Sequence, residues 1–143
     1  MPTRIFVNLP VADLRKSRAF FETLGFAFNV EFTGENAACM IVAEGSHVML
    51  LTREFFQTFT RKKVADAAST TEVLTCLALD SKAQVNDMVG RAIAAGATEV
   101  RPAQDHGFMF GRSFNDLDGH IWEIIWMDPD ASKVGTRKMP APR

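Results

Sequence analysis

The chain has no tyrosine among its 143 residues, although it has twelve phenylalanines. Chemistry that needs a phenolic hydroxyl as acid, base or radical carrier is therefore excluded. Cysteine is nearly as scarce. Cys39 and Cys76 lie far apart without CxxC spacing, so they are expected to be two buried, reduced thiols rather than parts of a zinc or redox motif. No charge of one sign dominates. The formal net charge is −1, which argues against a nucleic-acid partner or an anionic-membrane patch. Long hydrophobic runs are missing too. The longest strictly apolar stretch spans 37–43, well short of the ~20 residues a membrane helix needs. A strand is expected almost at the first residue, so no secretory signal is expected and a cytoplasmic location is. HxxxH, HExxH, a glycine-rich phosphate loop and any workable Ser-His-Asp spacing are all lacking.

Apolar residues make up 47% of the chain and charged residues 23%, the balance of a soluble globular domain of ordinary size. The pattern repeats itself. Residues 4–10 read as a strand that ends at Pro10. Asp13 then caps a helix whose Leu14, Ser17, Phe20, Phe21 and Leu24 recur at helical spacing, and Gly25 closes it. Strands are expected near 26–33, 37–43 and 47–53, punctuated by Gly34-Glu35-Asn36 and Gly45-Ser46. The second half follows the same plan. A strand over 73–79 leads to a capping box, Ser81 with Gln84, and to an apolar helical face of Val85, Met88, Val89, Ala92 and Ile93 closed by Gly96. Strands near 97–101, 108–114 and 120–127 complete it, the last two joined by the Asp118-Gly119 turn. The closing glycines Gly25 and Gly96 stand 71 positions apart, as in a duplicated supersecondary unit.

Module one is thus expected at about 4–53 and module two at about 73–128, in one domain over 1–128. A linker over 54–72 carries Phe55, Phe56, Phe59 and a basic run, and a partly disordered tail covers 129–143. The fold class is α+β. Several strands are apolar on both faces, so helices are expected on one side of a curved sheet and a lined hollow on the other.

The segment richest in chemistry is Asp116-Leu117-Asp118-Gly119-His120-Ile121-Trp122-Glu123. A tight turn feeds an apolar strand with a carboxylate in its middle. An unpaired buried charge costs several kcal/mol, so Glu123 is a ligand, an acid/base group or half of a buried pair.

These features together resemble the vicinal oxygen chelate superfamily, which includes glyoxalase I, bleomycin resistance proteins, fosfomycin-inactivating enzymes and extradiol dioxygenases. The resemblance rests on Val11-Ala12-Asp13-Leu14, Phe20-Phe21 and Leu24-Gly25-Phe26 in module one. In module two it rests on Ala95-Gly96-Ala97 and the Asp116-to-Glu123 segment. Leu117 departs from the family's Asp-Pro-Asp-Gly turn. The resemblance implies two βαβββ modules forming a cup-shaped mixed sheet with helices on the convex face, often dimeric. It also implies a divalent metal held by one inward side chain from the first and last strand of each module. Those four positions fall on Phe6, Leu50, Leu74 and Glu123. Only Glu123 is a metal ligand, and a cation held by one carboxylate would be hydrated and weakly bound. No cofactor is therefore expected.

The remaining polar candidates are ranked by strand alternation. Asn8 is expected on the face of Phe6 and Glu123, and Thr52 inward with Leu50. Arg112, on the strand paired with the last one, is a candidate anion clamp or partner of Glu123. His106, in Asp105-His106-Gly107, is a candidate acid/base group. His47 and His120 are read as structural or surface residues. Three functions fit. One is a metal-free small-molecule-binding protein resembling bleomycin resistance proteins, with Phe6, Asn8, Leu50, Thr52, Leu74 and Arg112 around the ligand, acting as a homodimer. The second is a lyase, isomerase or dioxygenase of the glyoxalase type with a reduced or shifted metal site and Glu123 as base. The third is a scaffold in which Glu123 is half of a buried pair.

Overall fold

The computed structural model describes residues 2–130. The tail expected over 129–143 lies almost wholly outside them. The fold is α+β, with two mixed sheets of four and five strands and their helices. The chain divides into two compact units at Thr70 and Thr71.

The first unit runs β1 (Ile5–Val11), α1 (Leu14–Thr23), β2 (Ala27–Asn29), β3 (Ala37–Ala43), β4 (Ser46–Thr52) and α2 (Arg53–Gln57), in the sheet order β1-β4-β3-β2. The expected strand over 26–33 is cut short. After Asn29 the chain turns through a 3-10 helix, Val30–Phe32, because the Asn29 side chain accepts from the Glu31 N–H and replaces a ladder bond. The expected linker also starts differently. Its first residues form α2, capped by the Thr52 hydroxyl, which accepts from the Phe55 N–H at 3.3 Å. Phe55 and Phe59 meet edge to face, and α2 lies against β1 and β4.

The second unit runs β5 (Leu74–Leu79), α3 (Lys82–Ala94), β6 (Thr98–Glu99), β7 (Gln104–Asp105), β8 (Met109–Asn115) and β9 (Ile121–Met127). Its sheet order is β5-β9-β8-β6, with β7 also on β8. The expected strand over 97–101 is shortened to β6, and β7 is a further short strand beyond it.

The two long helices are built alike. Asp13 Oδ1 accepts from the Lys16 N–H and Ser81 Oγ from the Gln84 N–H, both at 3.1 Å. At the other end the Phe26 N–H reaches the Phe21 carbonyl and the Ala97 N–H the Ala92 carbonyl. This is the bond that closes a helix over a left-handed residue, and Gly25 and Gly96 supply it with φ of 102° and 112°. Ser17, Phe20 and Phe21 of α1 are buried, as are Val85, Val89 and Ala92 of α3.

Strand register decides which residues share a face. Side chains of directly paired residues project to the same side, and neighbours along a strand project to opposite sides. In the first sheet Phe6 pairs with His47 and Asn8 with Met49, while Leu9 pairs with Leu50 and Val11 with Thr52. Leu50 and Thr52 therefore lie on the face opposite Phe6 and Asn8, against the expectation that all four share one lining. Leu9, Val11, Val48 and Leu50 are buried together as core. Leu50→Ala is expected to cost roughly 2–5 kcal/mol, as a core truncation does. Urea unfolding measures it, and a loss well under 1 kcal/mol would return Leu50 to a surface or cavity role.

Candidate functional site around Glu123

The register of the second sheet sets the site. Ser113 pairs with Glu123, and Glu123 with Cys76, so these three form one row across β8, β9 and β5. Arg112 pairs with Ile124 and so faces the other way. That other side is the α3 side. Arg112 Nη1 donates to Asn86 Oδ1 on α3 at 3.1 Å, and its Nε and Nη2 donate to Glu99 Oε2 at 3.0 and 2.9 Å. The same face holds Phe110 and Trp126, with Lys82 Nζ above both rings. Arg112 is thus neither the partner of Glu123 nor a clamp on its face; it ties β8 to α3 and β6.

The partner of Glu123 is Arg101, a residue the sequence reading passed over. Arg101 Nη2 donates to Glu123 Oε1 in a close ion pair. The carboxylate is the inner member, 3% exposed, and the guanidinium the outer one, 24% exposed. Glu99, two residues earlier, points to the α3 side, where it meets Arg112. A regular strand would send Arg101 the same way. The strand instead ends at Glu99, the chain bends at Val100–Arg101, and Pro102 follows, which keeps Arg101 out of helical geometry. The bend swings the guanidinium to the face of Glu123. Arg101 Nε and Ser113 Oγ are buried here without a hydrogen-bond partner among the described residues.

The loop that launches β9 is also a polar knot. Asp116 Oδ1 accepts from the Asp118 and His120 N–H groups at 2.9 and 3.0 Å, and Oδ2 accepts from Trp122 Nε1 at 2.9 Å. Burial holds this carboxyl above its ordinary range, against the pull of His120 and the Trp122 and Asp118 donors. Asp116 is therefore a structural group, one step outside the site.

The other expected site residues scatter. Leu74 pairs with Ile121, on the face of Glu123, and is 57% exposed. Cys76 is also exposed there, not buried as expected, because β5 is an edge strand and this side of it is not covered by α3. Phe6 stacks on His47 with ring centroids 4.5 Å apart, and the Asn8 amide donates to the Phe6 carbonyl at 3.4 Å. The Thr52 hydroxyl serves α2. His106 is exposed in the turn after β7. Asp105 does not orient its ring: Oδ1 takes the Gly107 N–H and Oδ2 takes Lys82. The Gly107 bond, ahead of Lys82, holds the Asp105 carboxyl below its ordinary range.

The residues at the four family ligand positions do not fit a divalent ion. Phe6 and Leu74 carry no donor, Leu50 belongs to the core of the first unit, and Glu123 is engaged by a guanidinium. Among the described residues, no three His, Cys, Asp or Glu side chains gather closely enough to hold a metal.

The pairing makes a quantitative contrast. Arg101→Met strands a buried carboxylate and is expected to cost ~3 kcal/mol, the lower end for a broken buried pair because the guanidinium is partly solvated. Arg112→Met removes more exposed bonds and is expected to cost ~1 kcal/mol or less. Parallel denaturant titrations check the order, and a larger loss for Arg112→Met would reverse the assignment.

Comparison with known proteins agrees with this architecture. Residues 3–43 match the family described as bleomycin resistance protein-like N-terminal. No curated protein matches the chain. Among solved structures, a hypothetical protein from S. aureus is 25% identical with a TM-score of 0.75, over 88% of this chain and 94% of that one. A glyoxalase-related enzyme from Fulvimarina pelagi is 22% identical with a TM-score of 0.74, over 88% of each chain. A glyoxalase/bleomycin resistance protein/dioxygenase family enzyme from Burkholderia phytofirmans PsJN is 19% identical with a TM-score of 0.71, over 85% of this chain and 96% of that one. The strand–helix–strand order of both units thus matches the fold of these glyoxalase-related structures, and residues 3–43 are similar to the bleomycin resistance protein-like N-terminal family.

Proposed function

We propose that the protein binds a small molecule without a metal, on the apolar face that surrounds Glu123. The observation that carries this reading is the composition of that face. Leu74, Cys76 and Ala78 are exposed along β5, beside half-buried Ile121 and Ile125 on β9. The one carboxylate among them already has its cation. An exposed apolar strip with a single neutralised polar anchor suits a ligand of mostly hydrocarbon or aromatic surface. Covering one such side chain contributes ~1.5–3 kcal/mol, so a few of them support micromolar binding. A lyase, isomerase or dioxygenase using Glu123 as base is less well supported, because a base must reach the proton it removes and this carboxylate is held by Arg101. The reading includes a homodimer, a cytoplasmic location, and neither a nucleic-acid nor a membrane partner; no helix of the described residues is long and apolar enough to cross a membrane.

The test is saturable binding of an apolar fluorescent probe, followed by displacement with a panel of planar aromatic compounds. Binding is expected to survive EDTA and to weaken about tenfold in Leu74→Asp, with thermal stability nearly unchanged at this exposed site. Elemental analysis is expected to find no stoichiometric metal. One tightly held divalent ion per chain, lost together with binding on EDTA treatment, would overturn the proposal.

A further inference from the structure

We infer that Glu123 marks a cation site whose occupant is the chain's own Arg101 guanidinium, and that this site accepts an external guanidinium or amidinium when the arginine is removed. The inference does not depend on any ligand of the apolar face. Glu123 stands where the superfamily's last metal-ligating carboxylate falls, and it is almost wholly buried. A carboxylate so placed needs a counter-charge, since leaving it unpaired costs several kcal/mol. Leu74, on the same face of the sheet, offers no donor to hold a divalent ion beside it. The counter-charge comes instead from a bend between two two-residue strands, β6 and β7, rather than from the sheet itself.

The geometry also shows how well the tethered cation fits. Its bond to Glu123 runs through Nη2, while Nε is buried without a partner among the described residues. Ser113 Oγ, in the same cross-strand row as Glu123, is fully buried and equally without a partner there. The site thus holds a carboxylate with a hydroxyl in the same cross-strand row, and a planar donor on the carboxylate that does not use all of its N–H groups. A planar cation with several N–H donors suits that arrangement, and one freed of the tether can turn to pair bidentately with the carboxylate. A hydrated divalent ion does not, because only one charged oxygen ligand awaits it.

The experiment compares full-length wild type, Arg101→Ala and the double variant Arg101→Ala/Glu123→Gln by thermal unfolding. Each is measured in methylguanidinium chloride at on the order of 10 mM, and in NaCl and MgCl2 at matched ionic strength; ligand linkage converts occupancy into a rise in Tm. Arg101→Ala is expected to melt several degrees below wild type and to regain a few degrees in methylguanidinium only. Wild type, whose site is filled, and the double variant, which has no carboxylate, are expected not to respond. Should Arg101→Ala fail to fold alone, its refolding yield in methylguanidinium against NaCl reads the same property, and Arg101→Met supplies a second cavity. An Arg101→Ala protein that responds to methylguanidinium no more than to NaCl, or more strongly to MgCl2, overturns the inference. The probe-binding assay on the apolar face is separate, so either reading can fail without the other.

Discussion

The geometry of the second unit depends on the carboxylate of Asp116. It holds the Asp118 and His120 N–H groups and the Trp122 indole at once, and the backbone closes the loop with the Asp116 N–H on the His120 carbonyl at 2.9 Å. The connection between β8 and β9 is therefore 116–120 rather than a two-residue Asp118-Gly119 turn. One residue of register separates the two possibilities, and a one-residue slip turns every side chain on a strand to the opposite face. The loop length thus puts Ser113 beside Glu123, buries Trp122 on the face turned toward α3, and sends Arg112 to Asn86 and Glu99. Each of the charged residues finds its partner only in this register.

The Arg101–Glu123 pair is best understood as a consequence of that register. A buried ion pair is weak evidence for stability, since apolar residues of similar volume often do as well. Its presence here is a solution to a placement problem. The fold delivers a carboxylate to the middle of β9, where it is almost wholly buried, with the hydrocarbon of Leu74 on the same face. The bend at Val100–Arg101 is what brings a cation across from the opposite face, and it does so by breaking the strand that would otherwise run on from Glu99.

These details explain what could be read from the sequence. The βαβββ plan was legible because its signals are local: Asp13 and Ser81 as caps, Gly25 and Gly96 as closing residues, and apolar periodicity between them. Glu123 was legible because a charge inside an apolar strand is conspicuous. Its partner was not. Counting across a two-residue turn puts Arg112 on the face of Glu123, and nothing in the local sequence reveals that Asp116 lengthens the loop. The one available hint at Arg101 was Pro102, which limits how far the preceding strand can continue. The face of Leu50 was illegible for a different reason. β1 and β4 run parallel, so no tight turn joins them to fix their register. Thr52 was misread by the same uncertainty, and its hydroxyl is a helix cap that alternation cannot reveal.

The positions that the resemblance would assign to a metal are occupied differently in the two units. In the first, Phe6 on β1 stacks on His47 with the Arg4 guanidinium 5.8 Å from its ring, and Leu50 on β4 is core. In the second, Glu123 on β9 has the internal cation of Arg101 beside it. A carboxylate buried this deeply needs a counter-charge, and the Arg101 guanidinium supplies one. With Arg101 in place the carboxylate has a cation of its own, and the exposed Leu74, Cys76 and Ala78 lie on the same face of the sheet. The dependence is mutual: with Arg101 present, removing the carboxylate would strand a partly buried guanidinium in its turn.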